Sequence, residues 1–246
     1  MTQAALTAFS ECDPAAKCAL VASLTNLAAV EAMPLQPGRP ARPLLVRPRD
    51  VPSRGLGSIE GRAALCHAVA HIEFNAINLA LDAGLRFSGM PAAYYADWLS
   101  VAQDEARHFL MMHARLRQLG YDYGDFAAHN GLWESAEKTA HDVLVRMACV
   151  PRVLEARGLD VTPNLISRLR EVGDLDTMAV LEVILSEEVR HVEIGTRWFH
   201  HGCAERGLAP VPTFRRLLAE QGIVLRPPFN HEARARAGFV AEEFHD

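Results

Sequence analysis

Asp104-Glu105-Ala106-Arg107-His108 and Glu187-Glu188-Val189-Arg190-His191 are two copies of one pattern, acid-Glu-x-Arg-His. Each copy places a glutamate and a histidine at i and i+3, one turn apart on one face of a helix. A carboxylate and an imidazole projecting from the same turn can bind one metal ion. Two such turns facing each other can bind two.

In four-helix bundles this spacing, completed by one glutamate from each of two further helices, forms a di-iron or di-manganese carboxylate site. Two further glutamates are present. Residues 61–81 (GRAALCHAVAHIEFNAINLAL) are apolar almost all the way round a helix, which predicts burial, and Glu73 is their one acid before Asp82. Residues 143–159 (VLVRMACVPRVLEARGL) are similarly apolar, with Glu155 as their one acid. A lone carboxylate in a buried helix is costly unless it is paired, protonated or bound to metal. Glu73 precedes Glu105 by 32 residues, and Glu155 precedes Glu188 by 33.

Residues equidistant from the turn of an antiparallel hairpin lie at one height. The midpoint of Glu73 and Glu105 falls at Gly89, inside the breaker cluster Ser88-Gly89-Met90-Pro91. The second midpoint falls near Val172-Gly173-Asp174, again a plausible turn. That arm is less regular, because Gly158 to Pro163 is expected to interrupt the helix after Glu155, with a short helix at about 164–172 before the last long one. Pro151, four residues before Glu155, predicts a kink or bulge beside a ligand.

These motifs resemble the ferritin-like di-iron carboxylate proteins, especially bacterial multicomponent monooxygenases and acyl-carrier-protein desaturases, over about residues 59–206. Within that group, RMACVPRVLEARGLD, YGDFAAHNGLWE and EVRHVEIGTRWF resemble a bacterial ferritin-like family of unknown function, distantly similar to tRNA hydroxylases. The resemblance implies metal ligands at Glu73, Glu105, His108, Glu155, Glu188 and His191. Asp104 and Glu187 match a position that usually supports the ligands from behind. Glu187 departs there from the commoner Asp. The ligand types suit a hard, mostly oxygen site for two metal ions, iron, manganese or one of each. No catalytic residue beyond the ligands is assigned.

Other groups read more plainly. Arg107 and Arg190 are expected to pair with helix acids. His67 and His71 read as core or helix-contact histidines, since His71 points away from Glu73. Tyr94, Tyr95 and Trp98 read as core packing before an electron-transfer role.

Composition agrees with an aliphatic helical core: 50% of the 246 residues are hydrophobic and 7% aromatic. No apolar run is read as a membrane span, and the N-terminus lacks the order of a signal peptide. Five cysteines without CxxC spacing suggest reduced thiols in the cytoplasm. A net charge of −5 exerts no general pull on nucleic acid, with tRNA left open.

The expected fold is all-α. Residues 1–58 carry a helix over 4–31 and a proline-rich strap over 34–54. Residues 59–206 form a ferritin-like four-helix bundle with a dimetal core, its helices at about 59–87, 91–119, 132–157 and 174–206. Residues 120–131 cross between hairpins, and 207–246 add a C-terminal helical extension. An oxidase or hydroxylase acting on dioxygen and a small-molecule substrate leads the functional readings. An electron donor is implied for a monooxygenase, and a homodimer is compatible. Ferroxidase or metal handling comes next, disfavoured as cage storage by the strap and tail, and a helical interaction module with a structural metal comes last. Residues 230–236, beside a Pro-Pro turn, are read either as an active-site cap or as a solvated surface helix.

Overall fold

The computed structural model describes residues 2–31 and 36–244. Every regular element among them is helical; the one β contact is an isolated parallel bridge between Leu45 and Ala128. The chain divides into two compact units, Met1–Glu134 and Ser135–Asp246.

In the first unit the helix expected over 4–31 is two short ones, α1 (Thr2–Ser10) and α2 (Pro14–Ser23). The break is local chemistry. Asp13 accepts from Ala16 N at 2.8 Å and caps α2, and Pro14 occupies the first helical position, where its missing N–H costs nothing. Buried Lys17 anchors this pair, donating to Ala8 O, Phe9 O and Asn78 Oδ1 at 3.1, 2.8 and 2.8 Å. Residues 34 and 35 of the expected strap lie outside the described residues. Its remainder is mostly exposed and is tied down by Gly38 N to Phe9 O and Val46 N to Ala128 O, both 2.8 Å.

Next come the two long helices α3 (Ile59–Arg86) and α4 (Ala92–Gln118), packed as an antiparallel hairpin. Ser58 caps α3 by accepting from Gly61 N at 3.0 Å. The turn falls at the breaker cluster, with Gly89 at φ +75°, a backbone region that glycine enters without steric cost. By length and mean hydropathy (1.2) α3 qualifies as a membrane span, contrary to the sequence reading, yet 67% of that window is buried within the protein. A fully apolar helix is a core helix as readily as a membrane one. The short helix α5 (Gly131–Lys138) spans the boundary between the units.

The second unit corrects two expectations. The helix expected over 132–157 is broken after α5 and resumes as α6 (Val143–Cys149), capped by Asp142, which accepts from Leu144 N at 2.7 Å. At Pro151 the expected kink or bulge takes the form of a π-helical turn, Val150–Glu155. The interruption expected at 158–163 does not occur. Instead α7 (Ala156–Glu171) runs through Gly158 and Pro163. Pro163 cannot donate to Leu159 O, and that carbonyl accepts from Asn230 Nδ2 at 3.2 Å instead. A group distant in sequence thus repairs the defect.

The turn at Val172-Gly173-Asp174 lies where the midpoint placed it. Gly173 has φ +76°, and Asp174 caps α8 (Leu175–Glu205) by accepting from Thr177 N at 3.1 Å. After α8, helices α9 (Pro210–Glu220) and α10 (His231–Arg236) flank the Arg226-Pro227-Pro228 segment, and Ala241–Glu243 form a 3₁₀ turn. Residues 230–236 are not a freely solvated helix. Arg234 is 1% exposed and grips Asp160 of α7 with two parallel bonds, Nε to Oδ1 at 2.8 Å and Nη2 to Oδ2 at 2.7 Å.

Candidate metal centre

In the first unit Glu73 lies mid-way along α3, with Glu105 and His108 one turn apart on α4. The hairpin turn brings the three together. His108 Nδ1 stands 3.3 Å from Glu105 Oε2 and 3.5 Å from Glu73 Oε2. One donor atom from each of the three lies within 4.8 Å of the others, a grouping able to hold a metal ion. Their exposures are 4%, 1% and 0%, so the cluster is closed to bulk water. Two carboxylates buried this deeply demand a cation.

Without metal, that cation is His108. Burial alone pushes the imidazole down, but hydrogen bonds to Glu105 and Glu73 and the charges of both raise it to about 11. A group raised in the folded state stabilises it fully below the unfolded value near 6.5, and the contribution is lost as pH rises through about 11. A metal ion needs the imidazole neutral and must therefore expel the proton. The apparent Mn(II) affinity is expected to rise about tenfold per pH unit across the neutral and mildly alkaline range. Calorimetry in buffers of different ionisation enthalpy reads the proton directly, and a pH-independent affinity would contradict the assignment of His108.

In the second unit the same local geometry recurs. His191 is 0% exposed, and its Nδ1 stands 3.4 Å from Glu188 Oε1. In both copies Nδ1 is the imidazole nitrogen turned to the carboxylate, which leaves Nε2 for an outer partner. Glu155 closes the π-helical turn and is half-buried.

The supporting acids differ in setting. Asp104 pairs with Arg107 at 2.9 Å, as expected for that arginine, and Glu187 is half-buried on α8. His67 and His71 are core histidines. His67 accepts from Gly124 N at 3.0 Å; His71 contacts Tyr123 Oη at 2.8 Å and His129 O at 3.1 Å. Burial lowers both to about 4. Tyr94 and Tyr95 donate to Ala83 O and Phe87 O at 3.1 and 3.0 Å, beside buried Trp98, a packing role.

A family model described as "Protein of unknown function (DUF455)" matches residues 8–245. The chain belongs to this family. Both Glu-x-x-His turns and both further glutamates lie inside the matched span. An uncharacterized protein of Haemophilus influenzae (strain ATCC 51907 / DSM 11121 / KW20 / Rd) is 49% identical over 212 residues, covering 83% of this chain and 74% of that protein. These findings agree with the expected bacterial family of unknown function. No solved structure matches the chain.

Sequence reasoning passed over Arg152 and Glu243, and read Arg234 only as part of the segment 230–236. Arg152 and Glu243 form a buried pair at 2.7 Å. Their signal was an arginine in an otherwise apolar segment, which periodicity treats as noise.

Proposed function

We propose that this DUF455-family protein is a dimetal carboxylate protein built as a ferritin-like four-helix bundle. In this reading the bundle spans residues 59–206, its helices supplied by the α3–α4 hairpin and by the run from α6 through α8. Glu73, Glu105, His108, Glu155, Glu188 and His191 then hold two metal ions, iron, manganese or one of each. The observation that carries the reading is the recurrence of one geometry, Nδ1 to carboxylate at 3.3 Å for His108 and 3.4 Å for His191, on two long helices in separate units.

Four carboxylates balance two divalent ions, and the oxygen-rich set favours iron or manganese over softer metals. When bound, such a pair supplies dioxygen activation and the oxidation of a small-molecule substrate, with electrons from an external donor if the reaction is a hydroxylation. The residues' own tasks are distinct. Glu73 and Glu105 present negative charge in a dry core, His108 releases its proton on metal entry, and the apolar wall of α3 excludes water. Asp104 and Glu187 are assigned to support the ligands from outside. Cys12, Cys18, Cys66, Cys149 and Cys203 are all free thiols, which fits a reducing compartment such as the cytoplasm.

Two measurements test this reading. Protein from cells supplied with iron and manganese is expected to hold about two metal ions per chain. After reduction it is expected to consume dioxygen in repeated cycles when reductant is supplied. Metal-loaded protein that consumes no dioxygen would overturn the oxidase assignment. Consumption that stops when the bound Fe(II) is oxidised, and resumes only with fresh Fe(II), would mark a ferroxidase instead.

A further inference from the structure

Arg152 sits inside the π-helical turn and is 0% exposed. Its Nη2 donates to Glu243 Oε1 at 2.7 Å and its Nε to Thr196 Oγ1 at 3.3 Å. Phe199, Phe214 and Phe239 surround its Cζ, with ring centroids at 4.6, 4.2 and 4.4 Å. Glu243 is itself fixed, its Oε2 accepting from Val240 N at 3.1 Å. The neighbouring Pro151 packs on Gly195, where a β-carbon would overlap the proline ring. The π-turn is therefore gripped from α8, from α9 and from the C-terminal 3₁₀ turn.

A π-turn accommodates one residue more than an α-turn, and it is rare in isolation. One extra residue rotates everything downstream by about 100° around the helix axis. The aim of Glu155, the last residue of this turn, depends on the turn being held open. Packing alone does not call for a guanidinium at 152, since a buried ion pair stabilises little more than apolar residues of like volume. What a directional pair adds is a fixed register, the best-attested use of such groups.

We propose that Arg152 and Glu243 are positioning residues: the C-terminal turn clamps the π-turn through Arg152 and thereby sets where the Glu155 carboxylate meets a metal ion. This inference rests on the dimetal reading of the site.

The experiment is a Co(II) titration of the full-length metal-free protein, followed by visible absorption and paired with a thermal melt of each metal-free variant. Replacing the clamp with apolar groups, Arg152→Met with Glu243→Leu, is expected to leave the metal-free melt within a few degrees of wild type. The same change is expected to weaken Co(II) binding by roughly 10–100-fold, as loss of an outer partner does. It should also shift the absorption bands towards those of Glu155→Gln. Arg234→Met with Asp160→Leu removes a comparable buried pair that shares the Phe239 ring with Arg152 but is hydrogen-bonded to α7 rather than to the π-turn, and should leave the bands in place. Glu243→Gln, which keeps a hydrogen bond, guards against a misfolded double variant and should shift the bands in the same direction by less.

Unchanged affinity and bands in the folded clamp variants would overturn the positioning role while leaving the dimetal reading intact. An equal shift in the Arg234 and Asp160 control would overturn it too. Wild-type protein that takes up no Co(II) would overturn the dimetal reading itself, and this inference with it.

Discussion

Mn(II), or Fe(II) without air, is expected to raise the melting temperature of metal-free protein by about 5–15 °C. A ligand that binds only the folded state stabilises it by about 2.7 kcal/mol at a hundred times Kd and about 4.1 at a thousand times. For a chain of this size each kcal/mol moves the midpoint by roughly 2–4 °C. The gain has a local cause. Glu73, Glu105 and His108 are 4%, 1% and 0% exposed, and one protonated imidazole is the only counter-ion within that trio. A divalent ion replaces one positive charge with two. Glu105→Ala and His108→Ala should abolish most of the rise, and Glu155→Ala should remove much of it by disabling the second unit's share. Scanning fluorimetry across metal concentration reads this directly. A melt indifferent to both metals would remove the basis for a native site.

Truncation after Leu225 is expected to unfold the second unit rather than open a gate. The reading of residues 230–236 as an active-site cap would make the tail a gate that can be removed without loss of metal. The tail's contacts argue otherwise. Deletion takes Glu243 from Arg152 and Arg234 from Asp160, pairs whose side chains are at most 1% exposed. Breaking a buried pair by removing one partner costs about 3–5 kcal/mol, and two such losses approach the whole stability of an ordinary domain. The deletion also takes Asn230 from Leu159 O, the carbonyl that Pro163 leaves without its helical donor. Urea melts should show the truncated chain without a cooperative transition for this unit, and metal binding through Glu155, Glu188 and His191 should be lost with it. A truncated protein that melts like the full chain would refute this and restore the tail as a gate.

Local pattern carried the main elements. The apolar run at 61–81, the breaker cluster around Gly89 and the turn at Gly173 were legible because helical periodicity and glycine chemistry act over a few residues. The Glu-x-x-His turns were legible for the same reason, since i and i+3 share a face whatever surrounds them. Glu73 stood out as a charge that no apolar helix keeps without a partner, and His108 proved to be one.

Tertiary structure decided what depends on partners far along the chain. Helix α7 passes through Pro163 because a side chain about seventy residues away accepts the role of the missing donor. Arg152 and Arg234 could not be placed from their neighbours: neither the apolar run around Arg152 nor the polar run around Arg234 tells whether the charge faces water or a buried acid. Only folding chooses between those, because the cost of burying the charge is offset by Glu243 and Asp160, each supplied by a different element of the fold.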